Sequence, residues 1–472
     1  MNRALLLLEY KQFFRSPLCA LAAVITFVVS VYALTAAGTY HGRNQETHTD
    51  FTRSIETRLQ AWHDELTAIE TREDTRGAYA ARPMNLRFPA TLPPAPLAEF
   101  AVGAGMLLPH SAAITPWKNT ANLFTNYQFA NPTLLRYGTI DMSFVIVILL
   151  PLVMIAVSFD ILAADRSTKR LQSILSQSIG PGQVMWTRLV FRNGVVLVAV
   201  LLPVLAVALA GGGFPPSTDR LARFAIWLIA AGVYAVFWLA VIAFVATRVR
   251  RAETVAATLV TVWGLLTLAI PAVAGTVGEA AFPTPSRLAY LSAMRSAQAD
   301  ANREVDRLTA GFLLDHPELT VGDESVPAYY RAAYLANSEV ETRTSTILEQ
   351  YERALEGRRQ FIGWLQYLSP AIVAQNALSA AAGADADRYY RFQKEARGAL
   401  RDLSALVGPA VVARQRITLA DFDRYRPYAF EETPTPDLAR RLSAPVGFLV
   451  LLSAFLLWGA RARLNGSVER LL

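Results

Sequence analysis

The sequence predicts an all-α polytopic membrane protein with six transmembrane helices and a mostly helical extracytoplasmic domain formed by two inserts. Apolar residues make up 53% of its 472 residues, and the mean hydropathy of +0.28 is too high for an ordinary soluble protein. Apolar runs of about 18 or more residues recur, and this is the length needed to cross ~30 Å of hydrocarbon. Helical periodicity recurs in the two long polar stretches.

The apolar runs divide the chain. Residues 1–37 contain an interfacial helix and span 1, 38–139 form the first insert, 140–274 contain spans 2 to 5 with a cytoplasmic coupling helix at about 163–186, 275–441 form the second insert, and 442–472 contain span 6 and a tail. The spans cover residues 17–37, 140–162, 194–210, 224–246, 254–273 and 442–460. Pro151 predicts a kink in span 2. A cleavable signal peptide is a poorer interpretation of the N-terminus, because charges interrupt its apolar run before Pro17.

The short segments beside the spans indicate their orientation. Lys and Arg are concentrated before span 1, between spans 2 and 3, between spans 4 and 5, and after span 6. Since basic flanks stay in the cytoplasm, we expect both termini to be cytoplasmic and both inserts to be extracytoplasmic. The short turn with Arg220 and Arg223 is discordant. The predicted location is the bacterial cytoplasmic (inner) membrane.

Both inserts contain amphipathic helical patterns. Apolar residues at spacings of three and four mark a helix in the first insert with Phe51, Ile55, Leu59, Trp62, Leu66 and Ile69. Prolines between residues 82 and 116 predict an irregular, extended chain. Three helices are marked in the second insert, the first by Leu288, Leu291, Val305, Leu308 and Phe312, the second by Tyr330, Tyr334, Ile347, Leu348, Tyr351 and Leu355, and the third by Tyr389, Phe392, Ala396, Leu400 and Leu403. Inserts of this length can bury a shared core.

The sequence lacks the motifs of several functional classes. It contains no G-x-x-x-x-G-K-[ST] loop for ATP, and no H-E-x-x-H, G-x-S-x-G or paired-cysteine motif. Cys19 is the single cysteine, and His41, His48 and His63 are scattered, so we expect no disulfide, metal or cofactor. No charge lies in the middle of a span, which argues against ion-coupled transport. The net charge of +7 comes from arginines beside apolar runs, so we expect no nucleic-acid partner.

The segment between spans 2 and 3 has the pattern of a short amphipathic helix. Leu171, Ile174 and Leu175 recur at helical spacing, and polar residues such as Gln172 and Ser173 occupy other positions around the helix. A helix of this kind either lies on the bilayer surface, bound to anionic lipid, or docks into a partner. The sequence leaves both interpretations open.

This segment, "DRSTKRLQSILSQSIGPGQVMWTRLVFR", resembles the coupling region of type-2 ABC exporter permeases, where an acidic-Arg pair precedes a Leu-rich helix, a turn and a basic return to the membrane. The opening "EYKQFFRSP" is similar to the interfacial helix of that family. The stretches "NPTLLRYGTIDMSFVIVILLPL" and "YLSPAIVAQNALSAAAG", with the large second insert, resemble a subfamily with two extracytoplasmic domains that is related to gliding-motility and copper-enzyme-maturation permeases. Lys169 and Arg170 differ from the Gly-Thr pair that the family often has there.

The resemblance implies a non-catalytic permease subunit of an ABC transporter, an exporter. A separate ABC ATPase subunit, which carries ATP and Mg²⁺, would dock on the cytoplasmic helix. A second permease chain would complete a homodimer or heterodimer, and membrane lipids and a periplasmic partner could also bind. The residues expected at the ATPase contact are Asp165, Arg166, Leu171, Ile174, Leu175, Gln177 and Gln183.

Two other classes of function are weighed against this one. A membrane-anchored sensor or scaffold would bind a ligand or periplasmic partner through its ectodomain. It would need a partner chain for output, because the cytoplasmic segments of this chain are short. An intramembrane enzyme would need polar catalytic residues within the spans, and none is evident.

Overall fold

The protein is a helical membrane protein with one small β-sheet. The structure is a computed structural model that describes residues 3–71, 79, 81–103, 108–120, 122–124, 140–163, 180–210, 217–283, 287–315, 317, 322–324 and 326–465. In chain order, the helices are α1 (Arg3–Arg15), α2 (Pro17–Thr71), α3 (Met142–Ser158), α4 (Pro181–Ala210), α5 (Thr218–Arg248), α6 (Ala252–Ala281), α7 (Arg287–Arg303), α8 (Val305–Asp315), α9 (Ala328–Leu365), α10 (Pro370–Ala382), α11 (Ala386–Ala413), α12 (Leu419–Arg424) and α13 (Thr435–Leu464). Strands β1 (Phe88–Thr91) and β2 (Ser111–Ile114) pair antiparallel.

Five of the described helices are long and apolar enough to cross a membrane: α2, α4, α5, α6 and α13. The expectation of a helical, multi-pass membrane protein is thereby confirmed. Helix α3, at the position of the predicted second span, is a shorter apolar helix. Helix α5 lies at the centre of the bundle, because 61% of its most apolar stretch is buried, against 17–28% in the other four.

Helix α2 is continuous from the membrane part of the chain into the polar insert. The sequence suggests a span that ends near residue 37 and a separate amphipathic helix beyond it, but one helix runs through Gly38 to Thr71. No proline occurs in residues 18–71, so nothing in the backbone interrupts the helix. Its 55 residues extend for about 80 Å. The predicted apolar face is confirmed, since Ile55, Trp62 and Leu66 are buried.

Helix α4 begins earlier than the sequence indicates. The predicted third span starts at residue 194, whereas the helix starts at Pro181, and proline is favoured at the first helical position. The prediction leaves the polar residues Arg188 and Asn193 outside the span, whereas both side chains are buried against other helices. Gln183, which the sequence assigns to the coupling helix, therefore belongs to the first turn of α4.

The two inserts share one apolar core, as predicted. We call the described residues 51–124, 287–365 and 386–431 the insert domain. Its core contains Trp62, Leu66, Met84, Phe88, Phe124, Tyr330, Phe392, Leu400 and Leu403. The helices predicted around Tyr330 and Tyr389 are confirmed as α9 and α11, whereas the first predicted helix is divided at Glu304 into α7 and α8. The proline-rich stretch is less irregular than expected, because it forms the two strands.

Helix α10 is a short, buried helix that the sequence does not predict. Its apolar side chains are mostly alanines, and nearly all of its residues are buried against the membrane bundle. The hydroxyl of Ser369 caps its N-terminus by accepting a hydrogen bond from the backbone N–H of Ile372. Gly383 ends it with a φ of 75°, a left-handed conformation that favours glycine. Helix α10 therefore connects α9 to α11 along the chain, and it packs within the membrane bundle.

Candidate functional site

The segment predicted to contact an ATPase lies almost wholly outside the described residues. Residues 164–179 include Asp165, Arg166, Leu171, Ile174, Leu175 and Gln177, which all lie outside them. Gln183 is described and exposed, and its backbone N–H donates to the carbonyl of Gly180 at 2.9 Å. The structure therefore describes the two ends of this segment, at Ala163 and Gly180.

A cluster of buried ion pairs lies near these two ends. Glu9 of α1 is 1% exposed, and its Oε1 atom lies 2.6 Å from Nε of Arg188 while its Oε2 atom lies 3.4 Å from Nε of Arg192. Nη1 of Arg192 also lies 2.7 Å from Oδ1 of Asp160, just after α3. We call these four residues the Glu9 cluster. It joins α1, the end of α3 and the start of α4.

The two arginines of the Glu9 cluster also bind the backbone at the end of α3. Nη1 of Arg188 donates to the carbonyl of Ile161 at 2.8 Å, and Nη1 of Arg192 donates to the carbonyl of Val157 at 3.0 Å. The last carbonyls of a helix have no partner within the helix, so these side chains satisfy groups that would otherwise be unpaired. The guanidinium groups therefore bind both a carboxylate and a helix end.

The Glu9 cluster makes the three helices hard to separate. Removing one partner of a buried ion pair costs about 3–5 kcal/mol, because the remaining charge stays buried without a counter-charge. Farther along α4, Nδ2 of Asn193 donates to Oγ of Ser158 at 2.8 Å, and this bond is also buried. A force applied to either end of residues 164–179 would therefore act on α1, α3 and α4 together.

Sequence reasoning missed the pairing of these residues. The sequence predicts that Glu9 belongs to an interfacial helix, whereas its side chain is buried beside Arg188. One signal was present: Arg188 and Arg192 are four positions apart, and so lie on the same helix face. Two cations on one face of an apolar helix require an anionic partner when they are buried.

Two described membrane helices contain a π-helical turn just before a proline. The turn Val145–Leu149 precedes Pro151 in α3, and the turn Leu265–Ala269 precedes Pro271 in α6. Proline has no N–H, and its ring crowds the carbonyl of the preceding turn. The wider π-helical turn accommodates the ring. A π-helical turn of α3 therefore lies just before Pro151, where the sequence predicts a kink.

Neighbouring helices donate hydrogen bonds to carbonyls of these two turns. The bonds run from Tyr234 Oη to the carbonyl of Val147 at 2.9 Å, from Trp263 Nε1 to that of Ile148 at 3.3 Å, and from Ser369 Oγ to that of Leu266 at 2.5 Å. The first two bonds connect α5 and α6 to α3, and the third connects the start of α10 to α6. Because α10 continues into the insert domain, a contiguous set of contacts joins that domain to the π-helical turns of α3 and α6.

Two of the histidines of α2 lie beside a cavity. His41 and His48 line a cavity of about 180 Å³ together with His110 and Arg388. Burial, Arg388 and His48 lower the pKa of His110 to about 4, and burial lowers the pKa of His48. Among the residues the structure describes, no three His, Cys, Asp or Glu side chains are arranged to hold a metal ion.

These features define a helical, multi-pass membrane protein whose insert domain is connected through α10 to membrane helices that contain π-helical turns. A family model described as a domain of unknown function (DUF3526) matches residues 287–431. The matched region covers helices α7 to α12, and therefore most of the second insert and α10. No curated protein and no solved structure matches the chain.

Proposed function

We propose that the chain is the permease subunit of an ABC transporter, an exporter that is driven by a separate ATPase subunit. The Glu9 cluster is the observation that carries this proposal. It joins α1, α3 and α4 near both ends of residues 164–179, the segment that resembles an ATPase-docking helix. Movement of that segment by an ATPase would be passed to three helices at once.

In this proposal the chain crosses the membrane six times, and α3 is the second span. Its residues Met142–Ser158 extend for about 26 Å, and the turn that follows brings the length close to the ~30 Å of the hydrocarbon core. The basic flanks place both termini and residues 164–179 in the cytoplasm. The insert domain then lies outside the bacterial cytoplasmic membrane.

The ATPase contact would be a helix in a groove. Leu171, Ile174 and Leu175 would fill an apolar groove on the ATPase, while Asp165 and Arg166 would pair with its charged rim. Gln177 and Gln183 would lie at the C-terminal side of the contact. ATP and Mg²⁺ would bind the ATPase subunit, so this chain would need no cofactor of its own.

The contacts within the bundle offer a route from the ATPase to the outside. Displacement of α3 would act on Tyr234 of α5 and Trp263 of α6, which bind its π-helical turn. Helix α6 would act on α10 through Ser369, and α10 on the insert domain. A second permease chain, identical or not, would complete the pathway, and a periplasmic partner could bind the insert domain.

A membrane-anchored sensor or scaffold is the second candidate function. The observation that favours it is that the two inserts share one core and that the insert domain contains cavities. In that case a ligand outside the membrane would shift α10, and the Glu9 cluster would pass the shift to a cytoplasmic partner. The two candidates differ in which partner binds residues 164–179.

Purification of the tagged chain from its own host in a mild detergent distinguishes the two candidates. We expect an ABC ATPase to co-purify, with or without a second permease chain. A matched preparation of a variant without residues 164–179 should lose the ATPase. Repeated recovery of the intact chain without any ATPase would contradict the transporter proposal.

A further inference from the structure

One cavity beside the insert domain is lined by charges of both signs. It has a volume of about 680 Å³ and lies between α9 and α11. Each of its carboxylates is in an ion pair with an arginine; these carboxylates are Glu349, Glu352, Glu356, Asp385, Asp387 and Glu432. An anion in this cavity would therefore lie beside six carboxylates as well as the arginines.

A second cavity has the opposite character. It lies between α2 and the β-sheet, has a volume of about 600 Å³, and is lined by the cationic residues Arg58, Arg87 and Lys118. We call it the basic groove. None of its described lining residues is Asp or Glu. Trp117 and Tyr79, which are 39% and 57% exposed, add aromatic surface to it. Its volume lies within the range typical of small-molecule sites.

The cations of the basic groove are not neutralised by the described residues. The side chains of Arg58 and Arg87 make no hydrogen bond or ion pair with any of them, and Nε of Arg87 is buried without an acceptor. Nζ of Lys118 donates to the carbonyl of Leu123 at 3.0 Å, which uses one of its three donors. Burial and the nearby Arg87 lower the pKa of Lys118. Two neighbouring cations of this kind favour an anion between them.

The position of the basic groove along α2 separates it from lipid headgroups. The apolar part of α2 ends near residue 37, and Arg58 lies 21 residues further on. At 1.5 Å per residue, this separation is about 30 Å along the helix. Headgroups of the membrane that α2 enters lie too far away to occupy the groove, so its occupant comes from solution.

We propose that the basic groove binds a soluble anion that carries a phosphate or carboxylate group beside a flat ring. Arg87 and Lys118 donate charge-assisted hydrogen bonds to the anionic oxygens, and Arg58 adds a third positive charge. The ring lies on the exposed aromatic surface of Trp117 or Tyr79. This proposal does not depend on whether the chain is a transporter or a sensor.

Calorimetric titration of the full chain in lipid nanodiscs tests this proposal with phenylphosphonate as the probe. We expect binding that weakens as salt is raised, at least tenfold weaker binding of inorganic phosphate, and no binding of benzyl alcohol. Arg87→Gln and Lys118→Gln should each weaken phenylphosphonate binding at least tenfold. The matched control is Arg53→Gln. Arg53 is an exposed arginine on α2, the helix that contains Arg58, and it pairs with Asp50.

Each remaining outcome decides against the proposal. Absence of phenylphosphonate binding, or equal affinity in Arg87→Gln and in the parent chain, would overturn the groove as an anion site. Equal affinity for inorganic phosphate would overturn the role of the ring, as would undiminished binding in both Trp117→Ala and Tyr79→Ala, which keep all three cations. Competition of phenylphosphonate by vesicles of anionic lipid would overturn the soluble source. The thermal unfolding midpoint identifies any variant that fails to fold, in which case Lys118→Gln and Trp117→Ala carry the test.

Discussion

The Nε atom of Arg188 lies 2.6 Å from the Oε1 atom of Glu9, although the two residues are 179 positions apart. Both side chains are less than one-tenth exposed, so water screens the attraction little. The pair attaches the N-terminal helix to the helix that follows residues 164–179. It therefore holds the short N-terminal helix against the membrane bundle.

Loss of the Glu9 carboxylate should destabilise the protein strongly. Glu9→Gln removes the buried carboxylate that lies 2.6 Å from Nε of Arg188 and 3.4 Å from Nε of Arg192, so we expect the free energy of unfolding to fall by about 3–5 kcal/mol. Reversible unfolding in mixed micelles measures this change. The control is Arg303→Gln, because Arg303 is 76% exposed in its pair with Asp300 and should contribute less than about 1 kcal/mol. Equal effects of the two variants would contradict a structural role for the cluster.

The hydroxyl of Tyr234 should stabilise the π-helical turn of α3. Pro151 has no N–H to donate to the carbonyl of Val147, four residues before it, and Tyr234 donates instead at 2.9 Å. Tyr234→Phe leaves that buried carbonyl without this donor, and we expect a loss of about 1–3 kcal/mol. Tyr32→Phe removes the hydroxyl of an exposed tyrosine and should change stability little. An unchanged unfolding free energy for Tyr234→Phe would show that the carbonyl has another partner.

Two glycines of the same helix should respond oppositely to alanine. A Cβ atom at Gly408 would overlap the Tyr334 hydroxyl and lie 3.0 Å from its Cζ atom, whereas one at Gly398 would meet nothing within 4 Å. We expect Gly408→Ala to destabilise the insert domain by about 1–3 kcal/mol through overpacking. Gly398→Ala should stabilise it by up to about 1 kcal/mol, because alanine restricts the unfolded chain and favours the helix. Equal shifts of the two unfolding midpoints would contradict the packing of α9 on α11.

The insert domain should lose stability as the pH falls from about 6.5 towards 4. Burial, the charge of Arg388 and His48 lower the pKa of His110 to about 4 in the folded chain. In the unfolded chain His110 titrates near 6.5, so the unfolded state takes up a proton that the folded state does not. Thermal unfolding midpoints measured from pH 7 to 5 should fall less in His110→Phe, which keeps an aromatic ring beside Tyr389, than in the parent chain. Parallel slopes in the two proteins would contradict this assignment.

Much of the helical architecture could be predicted from the sequence because it depends on local periodicity. The apolar stripe through Ile55, Trp62 and Leu66 gives the buried face of α2, and the stripe through Phe392 and Leu400 gives that of α11. The continuity of α2 could not be predicted, because its polar middle carries no apolar stripe. Helix α10 was missed for a related reason: its alanines are buried by neighbouring helices, and alanine alone is a weak hydrophobic signal.

The candidate site was less predictable, since its contacts join distant parts of the chain. The amphipathic spacing and the family resemblance of the segment that begins at Asp165 led to its assignment as an ATPase-docking helix, and that assignment stays a prediction. It did not identify Glu9, because the pairing of that carboxylate with Arg188 depends on how α1 packs on α4. Similarly, the cations of the basic groove come from α2 and both sides of the sheet, and no local pattern brings them together.

The most direct test of the account is the rate of ATP hydrolysis by the chain reconstituted with its co-purified ATPase. Leu175→Glu places a charge in the proposed docking groove, where its desolvation is unfavourable. Gln172→Glu places the same charge on the polar side of the predicted helix and serves as the control. We predict that Leu175→Glu abolishes the stimulation of ATP hydrolysis by the permease while Gln172→Glu retains it. Full stimulation by a folded Leu175→Glu variant would contradict the docking of an ATPase on this segment.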